Sequence, residues 1–571
     1  MKIILCSINS KYIHSSLGVW YLYSAAKKYD NRHDVQVYEG TINNQIEDII
    51  TDLSAFEADV IGFSTYIWNV DYVNKIAQTI KKINPKVTIF LGGPEASFDA
   101  LRLIEKPYVD FIIKGEGEGA FIKLLAEDFN PEENEENRGE APTDKSKRII
   151  SGACCEYINP YSDEYFKALK GRICYLETSR GCPFNCGFCL SGRDENVRFF
   201  ELSEAKRNII ALANSGTKTV KFVDRTFNCN DKRGLEIFKF IHEEYEKGNI
   251  PHGVIFHFEV EADLFTKETL AYLKTVPKGL FQFEAGLQSF NPITLKAVNR
   301  RSDIAHLVDN LRSIVAGGNI HLHIDLIAGL PFEGYDSFTK GFNLAYEIKA
   351  NVIQLGFLKL LKGSDLESNK AQYGYSYTDY SPYQVICNDS ISYQELSELK
   401  KAEDAVERLY NSGRFAFTIE YLLKHSGLTA YEIFYNFGKF VQEKGEKSPS
   451  LSLYAQLLYD FFCKVNGVDE ESFRDAMAVD RIITDNTGRL FPFAHIIDER
   501  YKDITYVLKN CPLNLFENQI EKAKQGKIGF AIIYSQKNNP VVMADYTNFN
   551  PVLNNFDYKF MDLQDILDKK L

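Results

Sequence analysis

The chain has 571 residues, of which 45% are hydrophobic and 25% are charged, and its formal net charge is −12 at pH 7. This length predicts about three to five domains, and the acidic balance argues against nucleic acid or an anionic membrane surface as a general partner. No apolar run is long enough to span a membrane, and the N-terminus lacks the pattern of a signal peptide. We therefore expect a cytoplasmic protein whose eleven cysteines stay reduced.

Strand and helix patterns alternate over the first 125 residues. The apolar runs predict strands at 2–8, 35–39, 60–65, 87–91 and 109–114. This alternation predicts an α/β fold, with a doubly wound, Rossmann-like sheet over residues 1–127. Ligands bind such sheets beyond the carboxyl ends of the strands. The candidate binding residues at these ends are Asn9, Ser10, Ser64, Thr65, Gly92, Gly93, Glu116 and Gly117.

A polar segment at 128–148 carries blocks of charge and two prolines, so we expect a linker and domain boundary over 128–168. The strand–helix alternation then returns, with strands predicted at 173–179, 219–224, 254–260, 280–285, 321–327 and 352–358. Six such units indicate a full or partial (β/α) barrel over 169–370, whose chemistry would lie at the carboxyl ends of the strands. Polar residues occur at those ends: Ser179, Asp224, Glu259, Glu284 and Asp325.

Residues 371–571 lose this alternation and are rich in tyrosine and phenylalanine. Helical spacing predicts helices at 391–412, 418–440 and 451–465, and two extended runs at 528–534 and 540–545 predict a hairpin. We expect a mainly helical domain, and we find no catalytic motif in it.

Three closely spaced cysteines, Cys182, Cys186 and Cys189, form a C-x3-C-x2-C run after a predicted barrel strand. Thiolates at this spacing can hold an iron–sulfur cube, and with only three of them one iron would stay open to a small molecule. The alternative is a zinc site, which needs a fourth ligand that Cys174 or Cys229 could provide.

The stretch Glu177-Thr-Ser-Arg-Gly-Cys182-Pro-Phe-Asn-Cys186-Gly-Phe-Cys189 resembles the signature of the radical S-adenosylmethionine superfamily. The resemblance implies a [4Fe-4S] cluster on the three cysteines, with S-adenosylmethionine on the open iron and a 5′-deoxyadenosyl radical from its reductive cleavage. It also implies S-adenosylmethionine contacts at Phe188, Asp224, Glu284, Gln288, Ser289, Arg300 and Asp325. Two alternatives stay open, since Asp224 could be a helix N-cap and Arg300 could form a surface ion pair.

Three N-terminal segments, IGFSTYIWNV, IFLGGPEASF and DFIIKGEGEGAF, resemble the cobalamin-binding domain that precedes many radical S-adenosylmethionine barrels. The resemblance assigns the candidate residues at the strand ends to cobalamin, with Gly92 and Gly93 beside its nucleotide tail. His14 lacks the aspartate two residues before it and the glycine three residues after it that mark an axial histidine. We therefore expect no histidine beneath the cobalt.

The resemblance implies a cobalamin-dependent radical S-adenosylmethionine enzyme, most simply one that transfers a methyl group to an unactivated carbon. Its partners would be a small-molecule or peptide substrate and an electron donor such as flavodoxin or ferredoxin. The alternatives are a cyclase or rearrangement enzyme that uses cobalamin without methyl transfer, a corrinoid-binding redox or sensor protein, and a radical enzyme without cobalamin. The C-terminal region resembles that of an uncharacterised branch, and we expect it to shape the substrate pocket. The sequence identifies no catalytic side chain.

Overall fold

The computed structural model describes residues 1–130, 145–152, 156–192 and 196–570. These residues form two compact units. Unit 1 comprises Met1–Glu259, Val298–Arg300 and Leu358–Ile386, and unit 2 comprises Val260–Ala297, Arg301–Phe357 and Cys387–Leu571. Residues 131–144 and 153–155 of the predicted linker lie outside the described residues.

Unit 1 begins with a six-stranded parallel sheet, and its strands lie in the order β2-β1-β3-β4-β5-β6. The strands are β1 (Lys2–Asn9), β2 (Asp34–Thr41), β3 (Val60–Ser64), β4 (Thr88–Gly92), β5 (Phe111–Lys114) and β6 (Ile149–Ser151). The helices are α1 (Leu17–Tyr29), α2 (Ile46–Ala55), α3 (Val70–Ile83), α4 (Pro94–Phe98), α5 (Ala100–Leu103) and α6 (Gly117–Ala126). The central strands are mostly apolar and are buried along nearly all of their length, because helices cover both faces of such a sheet. The predicted doubly wound sheet is confirmed.

The edge strand β6 was not expected, because the sequence assigns its surroundings to a linker. It is only three residues long, and it pairs in parallel with β5 through Ile112 and Ile149. A strand this short leaves no recognisable alternation in the sequence.

Unit 1 continues with β7 (Cys174–Leu176), β10 (Thr219–Phe222) and β11 (Ile255–Val260), and β10 pairs in parallel with both others. A short antiparallel pair, β8 (Ser179–Arg180) and β9 (Arg198–Phe199), brackets the cysteine loop. The helices are α7 (Asp163–Leu169), α8 (Leu202–Ala213) and α9 (Asp231–Glu246).

Unit 2 contains three further parallel strands, β12 (Phe281–Gln288), β13 (His321–Ala328) and β14 (Val352–Phe357). Its helices in this part are α10 (Lys267–Leu273), α11 (Pro292–Ala297), α12 (Ile304–Gly317) and α13 (Tyr335–Glu347). With β7, β10 and β11 of unit 1, all six strands expected for the barrel are present.

The segment Leu358–Ile386 returns to unit 1, and it contains α14 (Asp365–Ser368) and β15 (Ser376–Tyr377), which pairs with β16 (Val385–Cys387). The rest of unit 2 is mainly helical, as predicted. The helices are α15 (Tyr393–Ala405), α16 (Ala416–His425), α17 (Ala430–Glu443), α18 (Leu451–Phe462), α19 (Glu470–Thr484), α20 (Arg500–Asn510), α21 (Gln519–Lys524) and α22 (Leu563–Leu567).

Two C-terminal elements correct the expectations from sequence. The helix expected at 418–440 is two helices, because Gly427 takes a positive φ of 71° and Thr429 and Glu432 form a capping box that starts α17. The expected hairpin is β17 (Ile528–Ile532) with β18 (Val541–Asn550), and β19 (Asn555–Met561) extends it to three antiparallel strands. Within the described part of the chain, none of the helices has the length and apolar composition of a membrane span.

Candidate functional site

The cysteine loop follows β8 and is held in place by backbone hydrogen bonds within unit 1. Gly187 N donates to Val298 O at 2.8 Å, and Leu366 N donates to Gly187 O at 2.9 Å. Cys189 N donates to Cys186 O at 3.0 Å, which closes the turn that carries these two thiols. Two segments far away in sequence therefore fix a loop that has almost no secondary structure of its own. Phe188 is half-buried within it.

The central thiol of the loop faces a cation. Cys186 is buried, and Arg300 Nη1 lies 3.8 Å from its sulfur. Burial raises the pKa of the Cys186 thiol, and the Arg300 guanidinium opposes that rise. Arg300 therefore offsets thiolate charge at Cys186.

The spacing of the loop favours a cube over zinc. The C-x3-C-x2-C run supplies three thiolates, one fewer than the four ligands of a structural zinc site. One zinc ion would draw its thiolates to within about 4 Å of each other, whereas each cysteine of a cube binds its own iron. Burial raises the pKa of the Cys174 thiol to about 12 and that of the Cys229 thiol to about 11. The donor set fits a three-cysteine cube.

Asp224, predicted to contact S-adenosylmethionine, is 1% exposed and turned into the protein. Its carboxylate accepts hydrogen bonds from Thr178 N (3.0 Å), Thr178 Oγ1 (2.7 Å) and Ser179 Oγ (2.5 Å). Burial raises its pKa, and these hydrogen bonds oppose that effect. The N-cap of α9 is Asn230, so Asp224 is not a cap. It holds the strand end from which the cysteine loop departs.

Two neighbouring hydroxyl side chains at the carboxyl edge of the first sheet differ in their hydrogen bonds. Thr65 is bonded within the protein, and Ser64 is not bonded to any described residue. Thr65 Oγ1 donates to Gly92 O at 2.7 Å and accepts from Ala96 N at 3.0 Å. Gly93 has a φ of 95°, and a Cβ there would lie 2.6 Å from Thr65 O, so only glycine fits. A Cβ at Gly92 would meet nothing closer than 3.9 Å. Ser64 Oγ is buried and has no partner among the described residues, so this edge fits a polar ligand tail.

The loop after β1 is fixed by its own polar groups. Asn9 Nδ2 donates to His14 O at 3.2 Å, and Asn9 Oδ1 accepts from Ser7 Oγ at 3.0 Å. His14 Nδ1 lies 2.6 Å from Tyr175 Oη, so one ring nitrogen already has a partner. Ser10 is half-buried beside this loop.

The turn after β5 carries the last of the cobalamin candidates. Glu116 pairs with Arg180 at 3.0 Å and also with Arg198. A Cβ at Gly117 would lie 3.0 Å from Leu22 Cδ2, so the start of α6 packs closely on α1.

In unit 2, the polar strand residues share one face of the three-stranded sheet. Glu284 is paired in register with His323, and Gly286 with Asp325. Side chains alternate between the faces of a strand, and those paired across parallel strands point the same way. Glu284 and Asp325 therefore lie on one half-buried face, and the apolar residues between them, such as Phe283, fill the other.

A buried acid that the sequence analysis missed lies close to two of its candidates. Ser289 Oγ donates to Glu333 Oε1 at 2.6 Å, and Ser337 Oγ does so at 3.5 Å. Burial raises the pKa of Glu333 to about 7. Glu333 Oε2 and Gln288 Oε1 have no partner among the described residues, and Gln288 takes a φ of 69°. The sequence did contain a signal for Glu333, because a carboxylate follows the predicted strand at the position of β13.

Models of three protein families match this chain. The B12 binding domain matches residues 4–125, the Radical SAM superfamily matches 176–345, and a protein of unknown function, DUF4080, matches 371–534. The chain therefore carries the B12-binding and radical S-adenosylmethionine domains that its sequence predicted, and a C-terminal domain of a family without an assigned function.

Several curated proteins are similar to part of this chain. An uncharacterised methyltransferase of Pyrococcus horikoshii is 29% identical, covering 40% of this chain and 52% of its own. The cobalamin-dependent radical SAM methyltransferase TokK of Streptomyces tokunonensis is 28% identical, and the match covers 53% of this chain and 47% of TokK. The anaerobic magnesium-protoporphyrin IX monomethyl ester cyclase of Cereibacter sphaeroides is 22% identical, covering 58% and 56%. The chain spans about half the length of these relatives.

Solved structures share the fold. The cobalamin-dependent S-adenosylmethionine radical enzyme OxsB, with aqua-cobalamin bound, superposes with a TM-score of 0.55 at 17% identity. The match covers 84% of this chain and 79% of that one. At this identity the likeness concerns the fold alone.

Proposed function

We propose that this chain is a cobalamin-dependent radical S-adenosylmethionine enzyme that transfers a methyl group to an unactivated carbon. The observation that carries the proposal is the cysteine loop, whose C-x3-C-x2-C spacing suits a cube and whose Cys186 faces Arg300. The B12-binding match and the methyltransferase relatives support the second cofactor and the reaction.

In this proposal each group of residues has a defined task. Cys182, Cys186 and Cys189 would hold the [4Fe-4S] cluster, and Arg300 would offset its thiolate charge. Bound S-adenosylmethionine and methylcobalamin would supply the 5′-deoxyadenosyl radical and the methyl group, respectively. Asp224 holds the strand end before the loop through Thr178 and Ser179.

The remaining candidates would bind the organic parts of the cofactors. Ser64 and the open face at Gly92 would receive the nucleotide tail of cobalamin. In unit 2, the unpaired oxygens of Gln288 and Glu333 would accept hydrogen bonds from S-adenosylmethionine. The residues at 371–571 would shape the pocket for a small-molecule or peptide substrate.

The reaction needs an electron donor, which we propose to be a flavodoxin or ferredoxin. We also propose a cytoplasmic location, because the loop thiols must stay reduced to bind iron.

The test is anaerobic reconstitution of the full chain with iron, sulfide and hydroxocobalamin, followed by S-adenosylmethionine and dithionite. We expect about four irons per chain, bound corrinoid and 5′-deoxyadenosine. Cys186→Ala should lose the iron and the 5′-deoxyadenosine but retain corrinoid. Cys229→Ala is the matched control and should keep all three. Bound zinc, or iron loss in both variants, would contradict the proposal.

The cyclase relative supports a second candidate, ring closure without methyl transfer, because it matches 58% of this chain. The two reactions leave different by-products of S-adenosylmethionine. Methyl transfer yields S-adenosylhomocysteine together with 5′-deoxyadenosine, whereas ring closure yields 5′-deoxyadenosine without S-adenosylhomocysteine. Mass spectrometry of the reconstituted reaction distinguishes them.

A further inference from the structure

Arg180 lies in β8, two residues before Cys182, and forms ion pairs with three carboxylates of unit 1. Its Nε lies 3.0 Å from Glu177, its Nη1 3.0 Å from Glu116 and its Nη2 2.5 Å from Glu118. Only 17% of the Arg180 side chain is exposed, so these pairs are shielded from water and from salt.

The planar guanidinium is also packed between aromatic rings. Its central carbon lies 4.8 Å from the ring of Tyr21 in α1 and 5.7 Å from that of Phe200. A lysine would keep the charge but could not direct three fixed donors at three carboxylates while lying flat on a ring. The geometry is therefore specific for arginine.

The three carboxylates come from two different places in unit 1. Glu177 follows β7, whereas Glu116 and Glu118 lie on either side of Gly117, at the turn after β5. That turn packs closely against the segment after β6, because a Cβ on Gly152 would lie 1.6 Å from Glu116 O. Arg180 therefore connects a turn of the first sheet to the residues immediately before the cysteine loop.

We propose that Arg180 is a positioning residue that links the corrinoid-binding turn at Glu116 and Gly117 to the cysteine loop. This inference rests on the proposed function, since it assigns cobalamin to one end of the link and the cluster to the other. Arg180 is ion-paired to the turn and lies two residues before Cys182, so a movement of the Glu116 and Glu118 carboxylates when corrinoid binds is transmitted to Cys182. Occupancy of the cobalamin site is then detectable at the cluster.

The test is the electron paramagnetic resonance spectrum of the reduced cluster in the full reconstituted chain, with and without hydroxocobalamin. The wild-type g values should shift when corrinoid binds. Arg180→Lys should retain the wild-type iron content and bind corrinoid, but lose the shift. Arg207→Lys, at an exposed ion pair with Glu204, is the matched control and should keep it.

A second variant protects the test against misfolding of Arg180→Lys. Glu118→Gln removes one charged partner on the turn and leaves the guanidinium in place, and it should reduce the shift at least twofold. A full shift in either variant, or a wild-type spectrum unchanged by bound corrinoid, would overturn the link. Failure of the wild-type chain to bind iron or corrinoid would instead overturn the proposed function on which the link rests.

Discussion

Two buried carboxyl groups, one in each unit, differ in how fully the protein satisfies them. Asp224 follows β10 of unit 1 and is 1% exposed, and Glu333 follows β13 of unit 2 and is 2% exposed. Asp224 receives hydrogen bonds at both oxygens, whereas Glu333 Oε2 has no partner among the described residues. The two groups are equally buried, so they differ in their hydrogen bonds. Asp224 is bonded at both oxygens and holds the fold, whereas Glu333 has one oxygen that can accept a ligand.

The physical basis of the difference is the cost of an unpaired buried charge. Hydrogen bonds from Thr178 and Ser179 offset the desolvation of Asp224. Glu333 has fewer donors, and burial raises its pKa to about 7. A group in this state can take up or release a proton near neutral pH. The contrast leads to four predictions, in decreasing order of expected effect.

Asp224→Ala should lower the free energy of unfolding by about 4 kcal/mol, because it leaves several buried donors without an acceptor. The thermal or urea unfolding midpoint measures the loss, and bound iron should fall with it. Asp224→Asn keeps an acceptor of similar shape and should cost less. An alanine variant as stable as wild type would show that Asp224 does not hold the strand end.

Glu333→Gln should change the pH dependence of stability. The folded protein holds the Glu333 proton up to about pH 7, whereas the unfolded chain releases it near 4.5. The wild type therefore loses about 3 kcal/mol of stability between about pH 4.5 and 7 through this group. The variant should lack that loss when unfolding midpoints are compared at pH 5, 6, 7 and 8. Parallel curves for both proteins would contradict the assignment.

Ser289→Ala should make Glu333 differ further from Asp224, because it removes a hydrogen bond from Glu333. The Ser289 hydroxyl stabilises the ionised form of Glu333, so its removal should raise the Glu333 pKa further. The decline in stability should still begin near pH 4.5 but extend to higher pH than in the wild type, and the cost at neutral pH should be about 1 kcal/mol. Ser337→Ala removes a longer contact of 3.5 Å and should have a smaller effect.

The smallest expected effect on stability is in the first sheet, where Thr65 is bonded within the protein and Ser64 is not bonded to any described residue. Ser64→Ala removes an unpaired hydroxyl and should change stability by less than about 0.5 kcal/mol, but corrinoid affinity should fall about tenfold if that hydroxyl binds the ligand. Thr65→Ala removes two internal hydrogen bonds and should cost about 1 kcal/mol. If Ser64→Ala binds hydroxocobalamin as tightly as the wild type does, the Ser64 hydroxyl is not part of the binding site.

The sequence by itself determined the features that depend on local pattern. The cysteine spacing, the apolar runs of the parallel strands and Gly93 are each contained in a few consecutive residues. They were enough to predict both sheets, the cysteine loop and the carboxyl edge with its glycines. The sequence did not predict the short strand β6, the third C-terminal strand β19 or the helix break at Gly427, because short elements produce weak periodicity.

Only the tertiary structure decided which polar groups satisfy each other. Thr178 and Asp224 are 46 residues apart, Ser289 and Glu333 are 44 apart, and Arg180 and Glu116 are 64 apart. No local pattern encodes such pairs, because they form only when strand ends from different parts of the chain meet at one edge of a sheet. The sequence therefore identified polar residues at strand ends, and the fold separated Asp224, whose carboxylate accepts bonds at both oxygens, from Glu333, whose Oε2 has no partner among the described residues.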